Sequence, residues 1–524
     1  MATDCKLARR RRRLRPTFSH AIVAILTLCI GANTAVFTLL SNAVLRPLPV
    51  HQPDELVTLD SVGRGDASPV FSYPNYRDLR DRNAAFSALA AFRVVPINLG
   101  TSGRADRIWG YLASGNYFPL LGIRPHLGRF LSPDDDRNLR AHPVAVISHA
   151  TWTRRFAADP AILSRPITLN GTKYSIVGVA PAGFFGTEKL IRCDIWVPMM
   201  MQPQIEPDNP WIERRAGENI FLLGRLKPGV SLPQATANLQ QLARQLGEEY
   251  PDENRGLAIA LTPPGLVGGF LRGPAIGFSS ALLAVTALVL LIACGNIAGL
   301  MLARGADRTR ETAVCLALGA GASRLLRQHF IESFTLASLG GAAGLLLAAW
   351  LNAALESALP AMDIPVQLSL AMDLRVIAFC ALTSIATCIL CGLAPALQAA
   401  RQNILDGLKS GGLGPSARRW QLRDVLVALQ IAFTLVPLSA ALLAVHGLRN
   451  AVNLSLGFEP AHAASLTFDL DLEGYSREKG IALQRRLLAD LPSAGLITSM
   501  PLGIESNSNT FRPPDVTPGS GLWR

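Results

Sequence analysis

"ARGADRTRETAVCLALGAGASRLLRQ" (residues 303–328) is a basic stretch, rich in small residues, between two of the most apolar segments of the chain. The flanking segments 273–303 and 333–355 contain no Asp, Glu, Lys or Arg. Because a helix needs about 20 apolar residues to cross the bilayer core, both segments are long enough to span it. The pattern therefore predicts two membrane helices joined by a polar loop.

Three more uncharged stretches, 16–45, 376–400 and 425–448, are also long enough to cross a bilayer. The first is too long for a signal peptide and lacks a small-residue cleavage pattern, so we interpret it as a retained anchor. Only 17% of the 524 residues are charged, whereas soluble chains carry about a quarter. We predict five membrane helices, at 16–45, 273–303, 329–356, 375–400 and 423–448.

Basic residues mark one side of the predicted membrane segments. The tail 1–15 contains seven Lys and Arg residues, and loop 304–328 contains five, as does the stretch 401–423. Loop 357–374 contains none. By the positive-inside rule, the N-terminus, loop 304–328 and linker 401–422 are cytoplasmic, and 46–272, 357–374 and 449–524 lie outside. Membrane orientation thus accounts for most of the +12 net charge, and we do not predict nucleic-acid binding.

Residues 46–272 have the pattern of an α+β domain. Two β-type runs flank Asn170-Gly171 in 165–181, a residue pair that favours a type I′ hairpin. Residues 142–152 predict a strand leading into a helix, and 74–92 predict a helix after Ser72. In 219–251 a strand and a Pro-Gly turn precede a helix capped by Ser231. We expect small α/β sandwiches, so the fold class is an α-helical transmembrane bundle plus an α+β extracytoplasmic domain.

Few residues of this domain form a pattern with known chemistry. His126, His142 and His149 lack the H-E-x-x-H spacing of zinc peptidases, and the aspartates of "SPDDD" (132–136) are most simply a solvated turn. The sequence contains no G-x-x-x-x-G-K-[ST] phosphate-binding loop. We therefore predict no catalytic, metal or cofactor site, and we expect any ATP to be bound by a separate polypeptide.

Small residues recur at four-residue spacing in two of the predicted membrane helices. Gly295 and Gly299 form one such pair, and Gly340 and Gly344 form another. In lipid, glycines at this spacing let helices approach closely, so we expect these positions to pack against other helices. Asn296 needs a hydrogen-bond partner at that depth, most simply on another helix.

Residues 293–348 closely resemble the core of FtsX/MacB-type ABC transporter permeases. That family has approximately C-x-N-x-A-x-L-x-L-A-R, then R-x-x-E-x-A-x-R-x-A-L-G-A, then Q-x-x-x-E, and this sequence departs from it at Cys315, where a basic residue is usual. The segments 30–49, 115–135 and 170–186 are similar to the family's first span and MacB-like periplasmic core domain. The likeness implies a bacterial inner-membrane protein whose cytoplasmic loop receives motion from an ATPase. The residues that we assign to that coupling loop are Arg304, Arg308, Arg310, Glu311, Leu318, Gly319, Ala320, Arg324 and Arg327.

The segment 422–460 resembles the fifth span of the large duplicated permeases, the ADOP-like orphan proteins. The sequence ends at 524, near the expected start of a second periplasmic domain, so 449–524 looks like a truncated copy. A fragment, a frameshifted gene and a naturally short protein all fit this pattern.

Two functions remain open at this point. The resemblance implies a permease-like subunit that transmits motion to its periplasmic domain for export or efflux. The alternative is a non-transporting scaffold or regulator that binds an envelope protein, while a membrane-tethered enzyme lacks a catalytic constellation. The partners that we expect are a separate ABC ATP-binding subunit, the lipid bilayer, a second copy of the chain and an envelope protein.

Overall fold

The computed structural model describes residues 16–62, 68–101, 104–207, 209–267, 269–306, 322–358, 370–401, 422–454 and 477–493. The chain divides into two compact units. The helical unit comprises residues 1–47 and 271–464, and the sheet unit comprises residues 48–270 and 465–524.

Long apolar helices make up the described part of the helical unit. Each of the five predicted membrane segments lies within one long helix, with one exception. The first predicted segment, 16–45, is α-helical up to Leu40 and continues as a π-helical turn, Ser41–Leu45. The α-helices of the whole chain are α1 Pro16–Leu40, α2 Tyr73–Arg82, α3 Tyr117–Leu121, α4 His149–Arg155, α5 Gln202–Ile205, α6 Leu232–Glu249, α7 Pro251–Asn254, α8 Gly269–Ala306, α9 Ala322–Ala358, α10 Leu374–Arg401, α11 Leu422–Val452 and α12 Arg477–Ser493.

Within the described residues, four helical stretches are long and apolar enough to cross a membrane: Ser19–Leu45, Gly269–Gly299, Ser333–Ala358 and Gln430–Val452. Leu374–Leu390 in α10 is a shorter apolar stretch. Large apolar side chains point outward from these helices, including Leu346 at 74% exposure and Leu443 at 72%. Exposure of this kind is costly in water and is ordinary when the surroundings are lipid.

The sheet unit is built on one sheet, in which ten strands are described. The strands are β1 Leu56–Val62, β2 Phe86–Thr101, β3 Arg104–Ala113, β4 Leu127–Gly128, β5 Val144–Ile147, β6 Pro166–Leu169, β7 Thr172–Val179, β8 Ile195–Pro198, β9 Phe221–Leu226 and β10 Ala258–Thr262. The main path of the sheet is β10-β1-β9-β2-β3-β8-β5-β7-β4, and β6 pairs with β2 and β7.

The expectation of separate small sandwiches is wrong, because one long strand connects both halves of the sheet. The 16-residue β2 pairs with β9 through its first half, with β6 near its end, and with β3 over ten positions. Two apolar clusters fill the core. One includes Tyr76, Trp211 and Leu239, and the other is aromatic, with Tyr111, Tyr117 and Trp196 all fully buried.

Several local predictions are confirmed. Asn170 and Gly171 both have positive φ, 45° and 78°, as the two central residues of a type I′ turn require, and they join β6 to β7. Ser231 caps α6 in a reciprocal capping box with Gln234. The strand and helix predicted within 142–152 are β5 and α4.

The helix predicted over 74–92 ends ten residues early, at Arg82. Ser72 caps its start as expected, but the Asn83 amide donates to the carbonyls of Leu79 and Arg80 and so closes the last turn. The Asn83 side-chain oxygen then accepts the N–H of Phe86, where β2 begins. Phe86 is buried as predicted, on a strand instead of a helix.

Candidate functional site

The segment between β10 and α8 is where the chain leaves the sheet and enters its longest described helix. We call this segment, Pro263 to Gly269, the strap; position 268 lies outside the described residues. Gly265 and Val267 both have positive φ, 114° and 49°. A β-branched residue rarely adopts that backbone conformation, so the surrounding structure must hold Val267 in place.

Two buried carboxylates hold the strap through its backbone. Glu188 accepts the N–H of Val267 at 2.5 Å, and Asp60 accepts the N–H of Gly269 at 2.7 Å. The Thr262 hydroxyl donates to the same Asp60 oxygen at 2.8 Å. Glu188 and Asp60 are only 3% and 4% exposed. A carboxylate at the first residues of a helix satisfies N–H groups that have no partner within the helix, so Asp60 caps α8.

Burial shifts the titration of both acids. Loss of hydration raises the pKa of Glu188 to about 7, and the negative charge of Asp60 adds to this rise. Two contributions oppose it, the Val267 hydrogen bond and the positive charge of Lys189. Burial also raises the pKa of Asp60, against the hydrogen bonds from Thr262 and Gly269. Two nearby acids that both favour the neutral form cannot both ionise without cost.

A backbone hydrogen bond and an apolar residue complete the attachment of the strap. The N–H of Lys189 donates to the Gly265 carbonyl at 3.0 Å, and Leu266 is 1% exposed. The space beside Gly265 is filled by the aliphatic part of Lys189, 3.0 Å from where a Cβ would lie. The strap is thus attached through its main-chain groups and through the buried side chain of Leu266.

Close helix packing is concentrated at one of the two predicted glycine pairs. A Cβ on Gly340 would lie 2.6 Å from the Cβ of Leu26 in α1, and one on Gly344 would lie 3.1 Å from the backbone nitrogen of Gly31. In α8, a Cβ on Gly295 would lie 2.7 Å from the Gln430 amide nitrogen, whereas Gly299 has nothing within 4 Å. α1 and α9 therefore cross at glycines, with their backbones close together.

Polar groups link α1 to its neighbours at two levels. The Asn33 amide, 2% exposed, donates to the carbonyl of Thr286 in α8 at 2.8 Å and to Cys29 at 2.9 Å. At the end of the π-helical turn, Arg375 of α10 donates to the Leu45 carbonyl at 2.6 Å. Asn296, the polar residue predicted to pair between helices, lies instead on an exposed side of α8.

The predicted coupling loop falls largely outside the described residues, including Arg308, Arg310, Glu311, Leu318, Gly319 and Ala320. Arg304 lies in the last turn of α8, and Arg324 and Arg327 lie in the first turns of α9. The backbone thus places these three arginines at the ends of the two helices that the loop joins. The assignment of the loop to an ATPase contact stays a prediction.

The aspartate run is not the solvated turn that we expected, because Asp135 is buried and both carboxylate oxygens of the half-buried Asp136 accept backbone N–H groups. Burial favours a higher pKa for Asp135, but hydrogen bonds from Arg129 and Ser132 lower it to about 2. Burial raises the pKa of Asp136 to about 7, although it accepts the N–H groups of Met200 and Gly115. Among the described residues, no group of three His, Cys, Asp or Glu side chains could hold a metal ion.

Sequence reasoning missed Asp60 and Glu188. Asp60 alternates with Thr58 in "LVTLDSV" (56–62), the pattern of an ordinary polar strand face, so the sequence did not mark it as buried. Glu188 stands in "GFFGTEKLI" (183–191), where nothing marks it as buried.

Two family models match the chain. The MacB-like periplasmic core domain matches residues 21–242, and the FtsX-like permease C-terminal model matches residues 283–404. The first match covers α1 and most of the sheet unit. The second covers the region from α8 through α10, including the predicted coupling loop.

Curated relatives are macrolide export ATP-binding/permease proteins named MacB. The Burkholderia thailandensis protein is 24% identical over 279 residues, covering 52% of this chain and 38% of the relative. The Escherichia coli K12 protein is 26% identical over 301 residues, covering 56% of this chain and 42% of the relative. The chain thus spans about two fifths of the length of these relatives.

Two solved structures match part of the chain with low TM-scores. The periplasmic region of MacB from Actinobacillus actinomycetemcomitans has 13% identity and a TM-score of 0.31, covering 40% of this chain and 89% of that one. The extracellular domain of the noncanonic ABC-type transporter YknZ has 13% identity and the same TM-score, 0.31, covering 39% of this chain and 99% of that one.

Proposed function

Since the chain carries both a MacB-like periplasmic core domain and an FtsX-like permease domain, and so belongs to the FtsX/MacB-type permeases, we propose that it transmits motion across a membrane. In this proposal a separate ABC ATPase pushes loop 304–328, and the sheet unit moves on the other side. The relatives' names combine ATP binding with the permease. The 524 residues contain no Walker-type phosphate-binding loop, and in this proposal the ATP site lies outside them.

The observation that carries the proposal is the strap. α8 begins at Gly269, whose N–H is held by Asp60 of the sheet unit, and the same helix ends beside the predicted coupling loop. α8 contains 38 residues, with Pro274 inside it, and is about 57 Å long at 1.5 Å per residue. In this proposal, force applied near Ala306 travels along α8 to its first residue, Gly269, whose N–H Asp60 accepts.

The proposed topology follows the positive-inside rule. The N-terminus and loop 304–328 face the cytoplasm of a bacterial cell, and the sheet unit is periplasmic or extracytoplasmic. The transported class is export or efflux cargo, and the chain itself carries out no chemical conversion in this proposal.

Cross-linking tests the ATPase contact directly. An Arg310→Cys variant, carrying a short bifunctional cross-linker, is incubated with the ATP-binding subunits encoded beside its gene. We expect a specific adduct with one of them, and none from a Lys173→Cys control in the exposed β6–β7 hairpin. If no ATPase forms an adduct at 310, while the protein remains folded and inserted, the transmission proposal loses its input and is rejected.

One observation favours a second candidate function. Cys315 replaces the basic residue usual in the family's cytoplasmic loop, which removes a charge that an ATPase surface could use. A non-transporting scaffold or regulator, whose sheet unit binds an envelope protein, does not need that charge. Affinity purification from cross-linked cells distinguishes the two: recovery of an envelope protein without an ATPase supports the scaffold, and recovery of an ATPase supports the permease.

A further inference from the structure

One hydroxyl group in the core of the helical unit lacks the hydrogen bond that its neighbours make. Thr387 of α10 is 1% exposed, and none of the described residues bonds to its Oγ1. One turn earlier, the Thr383 hydroxyl donates to the Phe379 carbonyl, four residues back in the same helix. Ser384 donates to Cys380 in the same way. The Thr387 hydroxyl does not bond to its own helix like this, and an unsatisfied polar group is costly inside a membrane.

Thr387 lines a cavity of about 10 Å³ where four helices meet. Apolar side chains of α1, α8 and α9 form most of its wall, among them Leu26, Ile297 and Leu336, and none of these three is more than 4% exposed. The polar part of the wall comes from buried Thr387, Ser333 and Cys388. A cavity of about 10–15 Å³ is just large enough for one water molecule. Because the cavity is so small, a molecule inside it touches the groups on every side.

The wall of the cavity favours water over other ligands. None of the described residues that line it is charged, so an ion would lose its hydration there without gaining a counter-charge. A buried water makes about 2 to 4 hydrogen bonds, and the wall offers two hydroxyls and one thiol. A hydroxyl donates one hydrogen bond and accepts two, so Ser333 can bind a water in addition to the contacts that it already makes.

We propose that one water molecule is bound in this cavity and links the Thr387 hydroxyl of α10 to the Ser333 hydroxyl of α9. The water satisfies the buried hydroxyl and supplies a polar link between two helices in an otherwise mainly apolar wall. Hydrogen bonds between helices stabilise a membrane bundle, whether they are direct or carried by a water. The proposal does not depend on an ATPase partner or on which side of the membrane each loop faces.

Transfer of magnetisation from water, measured by solid-state NMR, tests for the bound molecule directly. The sample is the full-length protein with isotope-labelled threonine in lipid bilayers. We expect Thr387 to receive magnetisation severalfold faster than Thr34 and Thr38 of α1. These two are the internal controls, because both are 0% exposed and their hydroxyls donate to carbonyls of their own helix. Transfer to Thr387 that is as slow as transfer to these controls would overturn the proposal.

Thr387→Val is a second test, and the sign of its effect separates a bound water from an unsatisfied hydroxyl. Loss of a water-mediated link should shift the folding equilibrium towards the unfolded state by about threefold to tenfold in detergent unfolding. Loss of an unsatisfied hydroxyl would instead stabilise the protein, and that result would overturn the proposal.

Thr383→Val is the matched control for that variant. It makes the same change one turn earlier in α10, where the hydroxyl bonds to its own helix, so we expect a shift of less than about twofold. An equal loss of stability in the two valine variants would contradict the proposed link, because the cavity would then contribute nothing of its own. If Thr387→Val does not fold, the NMR measurement on the unmodified protein decides the question.

Discussion

Adding one methyl group at Gly340 should separate two membrane helices. A Cβ at this position would lie 2.6 Å from the Cβ of Leu26, whereas carbon atoms pack best at about 3.5–4.0 Å. The neighbour is the stem of its side chain, so it cannot rotate away, and α1 and α9 must move apart by about 1 Å. Overpacking of this kind costs about 1–3 kcal/mol, and the better helix propensity of alanine returns at most about 1 kcal/mol. We expect Gly340→Ala to lower the free energy of unfolding by about 1–2 kcal/mol.

Gly299→Ala provides the matched comparison, because it makes the same change in α8, where nothing lies within 4 Å of the added atom. This variant should keep or slightly increase stability, by up to about 1 kcal/mol. The assay is reversible unfolding by sodium dodecyl sulfate in mixed micelles, followed by tryptophan fluorescence. Equal stabilities for the two variants, or a less stable Gly299→Ala, would refute the assigned crossing of α1 and α9.

Three further predictions concern single contacts. Asn33→Leu, which removes the hydrogen bond to the Thr286 carbonyl, should cost about 0.6–2 kcal/mol in the same assay, and an unchanged stability would mean that this bond contributes nothing. Gly171→Ala places a Cβ at φ 78° in the hairpin turn and should cost about 1–2 kcal/mol by thermal unfolding, so a stabilised variant would argue against the type I′ turn. Burial raises the pKa of Asp136 from 3.8 to about 7, so its contribution to stability is present below pH 3.8 and is lost as the pH rises through 7. Asp136→Asn should therefore flatten the fall in stability between pH 5 and pH 8. An unaltered slope would show that Asp136 is already ionised at pH 5.

Turns and helix caps could be predicted from the sequence where a short motif determines the backbone conformation. Asn170-Gly171 supplies two residues that tolerate positive φ, and Ser231 with Gln234 forms a reciprocal cap, so both elements were predicted correctly. The helix end at Asn83 was missed, because an asparagine that caps carbonyls of the preceding turn looks the same in sequence as one on a helix surface. The long apolar runs likewise identified four of the described helices as long and apolar enough to cross a membrane, since lipid imposes a length and a composition.

Contacts between residues that are far apart in the sequence could not be predicted. The two glycine pairs look alike in sequence, yet the structure packs Gly340 against Leu26 and leaves Gly299 in open space. Likewise, Asp60 and Glu188 are 128 positions apart and become a pair only when β1 and the loop after β7 meet at the strap. A single sequence contains no signal for that meeting. The sequence also did not predict that all the described strands belong to one sheet, since β2 pairs with β6 and β9, which lie far along the chain.

Membrane sidedness is the central claim, because transmission from an ATPase to the sheet unit requires loop 304–328 and the sheet unit to face opposite sides. The measurement is labelling of intact spheroplasts with a membrane-impermeant maleimide, using Lys173→Cys and Arg310→Cys in a background with Cys5 and Cys315 replaced by serine. We predict that the cysteine at 173 is labelled in intact spheroplasts and the one at 310 only after permeabilisation. Labelling of both positions from the same side would contradict the account.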